Sequence, residues 1–176
     1  MDKIFGLSSK MGAGKSTIAR ALSERFGLPR VSFGDYVREV ARARHLQESR
    51  PALQELGESL VREDPDGFVR AVLSKVHFTS GAVIDGIRHI EILEAITKLV
   101  SPLGVVLVYV ECDEQIRIRR LVERGMKVEE IGAADRHSTE MQIAGPLRAR
   151  AVLEVRGDSD AAQAADKVSE WMTRSG

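Results

Sequence analysis

Apolar positions along this chain fall into two rhythms. Short apolar runs occur at residues 4–8, 30–32, 82–85, 105–110 and 152–155. The run Val105-Val106-Leu107-Val108-Tyr109-Val110 has no polar alternation, as expected of a strand covered on both faces. Between the runs lie stripes of helical spacing. Ile18, Leu22 and Phe26 form one, Leu53, Leu56 and Leu60 another behind Pro51, and Ile90, Leu93 and Ile96 a third, extended by Leu99 and Val100. The last stripe, Ala161, Ala165, Val168 and Met172, follows Asp158 and Ser159, two residues suited to capping a helix. Runs alternating with stripes predict an α/β fold: an open, five-stranded parallel sheet with helices on both faces. No repeat or linker interrupts the pattern, so residues 1–176 read as a single domain. Residues 124–134 hold Gly125 and Gly132 and lack a long apolar stripe, which predicts a mobile loop.

Composition changes this picture little. With 176 residues, 43% hydrophobic, the chain has material for one real core. Lys plus Arg and Asp plus Glu are equal at 26 each, which argues against nucleic acid or an anionic membrane as the main partner. The first apolar stretch is too short for a signal peptide, and no later run could span a bilayer. Cys112 is the single cysteine, so an internal disulfide is excluded. These features predict a cytoplasmic protein, and Cys112 reads as a small packing residue. His45, His77, His89 and His137 show no metal spacing and read as ordinary surface or packing residues.

The chemistry begins just after the first apolar run, at Ser9-Lys10-Met11-Gly12-Ala13-Gly14-Lys15-Ser16-Thr17. This is a P-loop in a strand–loop–helix setting. Gly12 and Gly14 allow backbone amides to turn toward phosphate oxygens, and the helix start adds partial positive charge. Lys15 reaches the outer phosphates, and the Ser16 hydroxyl can bind Mg²⁺. Ser9 stands where the strict pattern has glycine, at the position least involved in phosphate contact. The chain contains no asparagine, so it lacks the Asn-Lys-x-Asp motif by which GTP switches read guanine.

Further along, the chain resembles nucleoside monophosphate kinases and dephospho-coenzyme A kinases. Gly6 to Thr17 is similar to their opening segment. Val31-Ser32-Phe33-Gly34-Asp35-Tyr36-Val37-Arg38 resembles the Ser-x-Gly-Asp-x-x-Arg segment of adenylate kinases. Val83-Ile84-Asp85-Gly86-Ile87-Arg88 resembles their Asp-Gly-x-x-Arg segment, one residue shorter. Leu53-Gln54-Glu55-Leu56-Gly57 is similar to a stretch of phage-type deoxynucleoside monophosphate kinases. The resemblance implies a P-loop NTPase three-layer sandwich, with acceptor-binding helices at about 34–77 and a short arginine-rich lid at about 120–137.

The resemblance also implies roles. Gly12, Ala13, Gly14, Lys15, Ser16, Thr17 and Arg120 would bind ATP. Asp35 and Asp85 would hold Mg²⁺ through water, with Ser16 as a direct ligand. Asp35, Arg38, Gln54, Asp85 and Arg88 would face the acceptor. Lys15, Arg88, Arg120, Arg124 and Arg136 would stabilise the transferring phosphoryl group, because arginine forks suit phosphate oxygens. Arg117, Arg120 and Arg124 share one helical face, while Arg119 points elsewhere. A capping role for Asp35, a solvated face for the arginines and a polar helix surface for Gln54 are the simpler structural readings. The expected activity is transfer of the ATP γ-phosphate to a nucleoside or deoxynucleoside monophosphate, by a monomer or homodimer. Dephospho-coenzyme A as acceptor is one alternative. A non-catalytic ATP sensor or partner-binding module is the other.

Overall fold

The computed structural model describes residues 3–77 and 79–175. Five strands, β1 (Lys3–Ser8), β2 (Arg30–Ser32), β3 (Gly81–Asp85), β4 (Gly104–Glu111) and β5 (Leu153–Arg156), pair in the order β2-β3-β1-β4-β5, all parallel. Each predicted strand is present, within a residue or so at its ends. The central strands are buried nearly throughout, which is why their apolar runs lack alternation.

Side chains nevertheless alternate between two cores, one on each face of the sheet. Ile4, Ala82, Ile84, Leu107 and Tyr109 point to one face, where they meet α2 (Phe33–Ala43), α3 (Arg50–Glu63), α4 (Pro65–Leu73) and α5 (Ile90–Val100). Phe5, Leu7, Val83, Val106, Val108 and Val110 point to the other, against α1 (Lys15–Phe26) and α10 (Ala161–Ser175). The two-residue period of a strand produces this division. Trp171 and the Cys112 side chain pack at the margin of the second core. Phe33 and Phe68 meet edge-on at 5.0 Å between centroids, joining the start of α2 to α4.

Beyond β4 run α6 (Glu114–Glu123), α7 (Val128–Asp135) and α8 (Ser138–Gln142), then a π-helical stretch (Ile143–Leu147) and the single turn α9 (Arg148–Arg150). Here the structure departs from the sequence reading. Most of the segment expected to be a mobile loop is helical. Ile131 of α7 is buried with Met11 and Leu121, forming a third small core against the P-loop. One buried residue per two turns anchors a helix without leaving a long stripe. The cap of α10 also differs. Asp160 accepts from the Ala162 amide at 3.0 Å, whereas Asp158 pairs with Arg156 and accepts from the Asp113 amide.

Among the described residues, no helix is long and apolar enough to cross a membrane.

Candidate active site

The chain leaves β1 and turns through the P-loop. Gly12 and Gly14 have φ of 84° and 92°, in the region glycine enters without strain. Gly14 is the N-cap of α1, and the exposed Ser16 and Thr17 occupy its first turn. The first-turn amides of such a helix have no carbonyl behind them, so they present donors to an anion. The P-loop therefore sits where the sequence places it, at the carboxyl end of the central strand.

Lys15 reaches across to the end of β3 and contacts Asp85. The second oxygen of Asp85 accepts from Arg30 at 3.2 Å. Asp85 is only 2% exposed, so these two cations compensate its burial. Burial pulls the Lys15 ammonium below its ordinary pKa, Asp85 partly restores it, and Arg88 and Arg30 lower it further. The turn after β3 is held to β1 by the Gly86 and Ile87 amides, which donate to the Leu7 carbonyl. Arg30, on the short β2 strand, is a site residue that the sequence reading missed.

Next to this ion cluster opens a cavity of about 340 Å³. Phe33, Val37, Leu53, Val61, Phe68 and Ile92 give it an apolar wall, while Arg38, Arg50, Arg88 and Gln54 supply polar groups. Four residues expected on the acceptor side thus meet Lys15 or this cavity: Asp85, Arg88, Arg38 and Gln54. Asp35 is 65% exposed and pairs with Arg38 at 3.0 Å. It does not cap α2; Ser32 does, accepting from the Asp35 amide at 3.2 Å. Arg50, not singled out from sequence, lines the same cavity, and so does His89, which was read as an ordinary surface or packing residue.

The expected lid arginines separate. Arg120 lies over the P-loop. Its Nη1 donates to the Gly157 carbonyl at 2.8 Å and lies 3.3 Å from where a Cβ on Gly14 would sit. Arg124 and Arg136 are exposed, and among the described residues neither enters an ion pair. Arg117 is 1% exposed and holds structure together. It donates to the Met11 carbonyl at 3.1 Å and to Asp135 and Glu114, whose carboxylates hold its pKa above the ordinary value. Helical spacing places Arg117, Arg120 and Arg124 on a shared face but does not say how deeply each is buried.

Glu140 is another residue that sequence did not reveal. It is 1% exposed on the short α8. One oxygen accepts from Arg88 at 2.6 Å and lies 3.7 Å from Arg50. The other accepts from the Met11 amide at 3.4 Å. The Met11 peptide groups are therefore held on both sides, at the N–H by Glu140 and at the C=O by Arg117. A five-residue helix has too few turns for its inward face to be read from spacing.

The donor set fits a magnesium ion carried on phosphate better than one held by protein alone. Among the described residues, no three His, Cys, Asp or Glu side chains gather as a metal cage. One exposed hydroxyl, Ser16, and separate carboxylates are what a phosphate-borne octahedral ion needs, since most of its ligands are phosphate oxygens and water. The Cys112 sulfur accepts from Arg120 Nη1 at 3.8 Å, beside the P-loop. Burial raises its thiol above the usual pKa, in keeping with a packing role.

Comparison with known proteins agrees with this fold. The AAA domain family matches residues 6–144. An adenylate kinase from Thermobifida fusca is 32% identical over 64% of this chain and 62% of its own length. A UPF0200 protein from Thermococcus sibiricus is 31% identical over 65% of this chain and 62% of its own. The chain thus spans less than two thirds of the length of these relatives. A shikimate kinase structure from Acinetobacter baumannii, in complex with shikimate, superposes over 99% of this chain and 94% of that one, with a TM-score of 0.68 at 18% identity. That likeness concerns the fold, and it matches the five-stranded sheet with helices around it. With its P-loop on the central strand and its family match over most of its length, the chain belongs to the AAA domain family and, within the P-loop proteins, to the nucleoside monophosphate kinase-like group.

Proposed function

We propose that this protein transfers the γ-phosphate of ATP to a nucleoside or deoxynucleoside monophosphate. The observation that carries the reading is the adjacency of Lys15 and Asp85 to an apolar cavity rimmed by Arg38, Arg50 and Arg88. An apolar wall bearing two phenylalanines suits a flat nucleobase, and guanidinium groups suit the phosphate attached to it. The wall favours a nucleotide acceptor over a small polyol acid, whose hydroxyls would gain little against apolar side chains.

The division of labour follows from charge. The P-loop amides, Lys15 and Ser16 would hold the donor phosphates, with Arg120 over the loop. Magnesium, when bound on those phosphates, would neutralise their charge; Ser16 would ligate it, and Asp35 and Asp85 would hold its water. Arg88 and Arg38 would grip the acceptor phosphate. Arg124 and Arg136, now exposed, would act only on closing over the site. The protein's own task is to position and neutralise charge, with little proton chemistry.

The test is ADP release with a panel of nucleoside and deoxynucleoside monophosphates and dephospho-coenzyme A. Acceptor-dependent turnover should appear with at least one monophosphate. It should fall by about a hundredfold or more in Lys15→Ala, as expected for loss of a preplaced cation at the phosphates. Turnover with dephospho-coenzyme A alone would reassign the acceptor. Equal turnover in the variant would remove the P-loop from the reaction.

A further inference from the structure

We propose that Arg50 is a second acceptor-anion residue, paired with Arg88, and that buried Glu140 is the positioning residue that holds the two guanidinium groups side by side. The assignment rests on reading this cavity as the acceptor site.

Three observations carry it. First, Arg50 and Gln54 lie one helical turn apart on α3 and both line the cavity. Arg50 Nε and Gln54 Nε2 are buried donors with no partner among the described residues. Buried donors are rarely left unpaired, and two on one wall of a cavity call for acceptor oxygens there. Secondly, Arg50 and Arg88 converge on the same oxygen of Glu140, at 3.7 Å and 2.6 Å. Two cations that close would separate without a shared counter-charge, and the carboxylate is fully enclosed. Arg88 uses only Nη1 on Glu140, so among the described residues its other donors have no partner and can serve a ligand. Thirdly, the fold disfavours the charge on Arg50. Burial lowers its pKa, and Arg88 lowers it further, while Glu140 and Asp135 restore only part. An arginine kept where its charge is disfavoured fits a binding role better than a stabilising one.

Around Glu140 two arginines face one carboxylate, a local positive excess; Glu48 and Glu58, which also line the cavity, are engaged by Arg42 and by Ser138 and Thr139. That arrangement suits a phosphate dianion and gives no advantage to an uncharged acceptor.

The first measurement is inorganic phosphate binding, followed by phosphorus NMR, to protein loaded with a non-hydrolysable ATP analogue so that the P-loop is filled. Arg50→Met should weaken phosphate binding by about tenfold, the worth of a charge-assisted hydrogen bond. It should raise the acceptor KM similarly while the ATP KM changes by less than about twofold, and it should not lower Tm. Unchanged phosphate affinity in Arg50→Met would overturn the assignment. The second measurement concerns Glu140. In a Glu140→Gln background, Arg50→Met should change phosphate affinity much less than in wild type, because the pair is no longer held together. Glu140→Gln should also lower Tm more in wild type than in Arg50→Met. Strict additivity in both readouts would remove Glu140 from the positioning role. If no monophosphate supports turnover but phosphate binding still requires Arg50, the acceptor reading fails and the anion site stands.

Discussion

A methyl group added at Gly157 would sit 1.7 Å from the Ala13 carbonyl oxygen and 2.7 Å from Val110 Cγ1. Both contacts are impossible, so the turn after β5 must retreat from the P-loop or push it aside. Gly157→Ala should cost about 1–3 kcal/mol of stability, as overpacking does. It should also raise the KM for ATP by about tenfold or more, since Ala13 lies within the phosphate cradle and the Arg120 hydrogen bond to Gly157 would move with the turn. Normal ATP affinity in that variant would show that the P-loop tolerates the displacement. At this scale sequence was a partial guide. Lys15 and Asp85 were legible because a motif fixes the first and a strand end fixes the second. Arg30, Arg50 and Glu140 were not. Their roles arise from side chains that meet across elements far apart in sequence, and no local spacing encodes such meetings. Arg117 was noticed for its charge but not for its burial, because an arginine enclosed by Glu114, Asp135 and a carbonyl looks in sequence like any helix-surface arginine.

Whole elements were easier to read when they were long. The strands and α1, α5 and α10 follow from apolar patterns that pack in or on the sheet, and α3 from a stripe that packs against α2 and α4. The elements after α6 are short and bury only a few residues each, so their pattern is weak. α7 is the clearest case. Its hold on the body comes from Ile131 against Met11 and Leu121, from the Arg117–Asp135 pair at its end, and from the Lys127 amide donating to Glu130 at its start. Ile131→Ala should remove about 2–5 kcal/mol, the usual cost of that truncation in a core. Because the third core is small and separate, the loss should be local. Hydrogen exchange should quicken across residues 128–135 while β1, β3 and β4 keep their protection. An equal loss in the sheet would show that α7 unfolds only with the whole domain. The arginine-rich region was expected from sequence to be mobile; its helices give it a framework, and any closing motion would carry them as units.

Across the whole molecule, opposite charges balance at 26 each, so stability against pH depends on individual buried groups more than on net charge. His89 is the group to watch near neutrality. Burial lowers its pKa from 6.5, and Arg88 and His137 add to the effect, against opposition from Glu91 and Glu58. The folded protein therefore resists protonating a ring that the unfolded chain protonates freely. Stability should be flat above the unfolded value and should fall as pH drops from about 6.5 toward the folded one. Thermal melts between pH 7 and 5.5 should show that decline, and His89→Gln should flatten it. An unchanged slope in the variant would place the acid sensitivity elsewhere. The same ring lines the cavity, so the overall architecture puts one titrating group where fold stability and site electrostatics are read together.

Met11 has a consequence at every scale. Its N–H rests on the carboxylate that gathers Arg88 and Arg50, and its C=O rests on the arginine that ties down α7. The contact to Glu140 is already stretched at 3.4 Å, so a small shift of the loop is enough to break it. If the proposed nucleotide and acceptor both bear on this hinge, their binding would be coupled. By thermodynamic reciprocity, whatever factor a nucleotide in the P-loop applies to the acceptor's affinity, the acceptor returns to the nucleotide. A single backbone amide would then act as a balance arm between the two halves of the site.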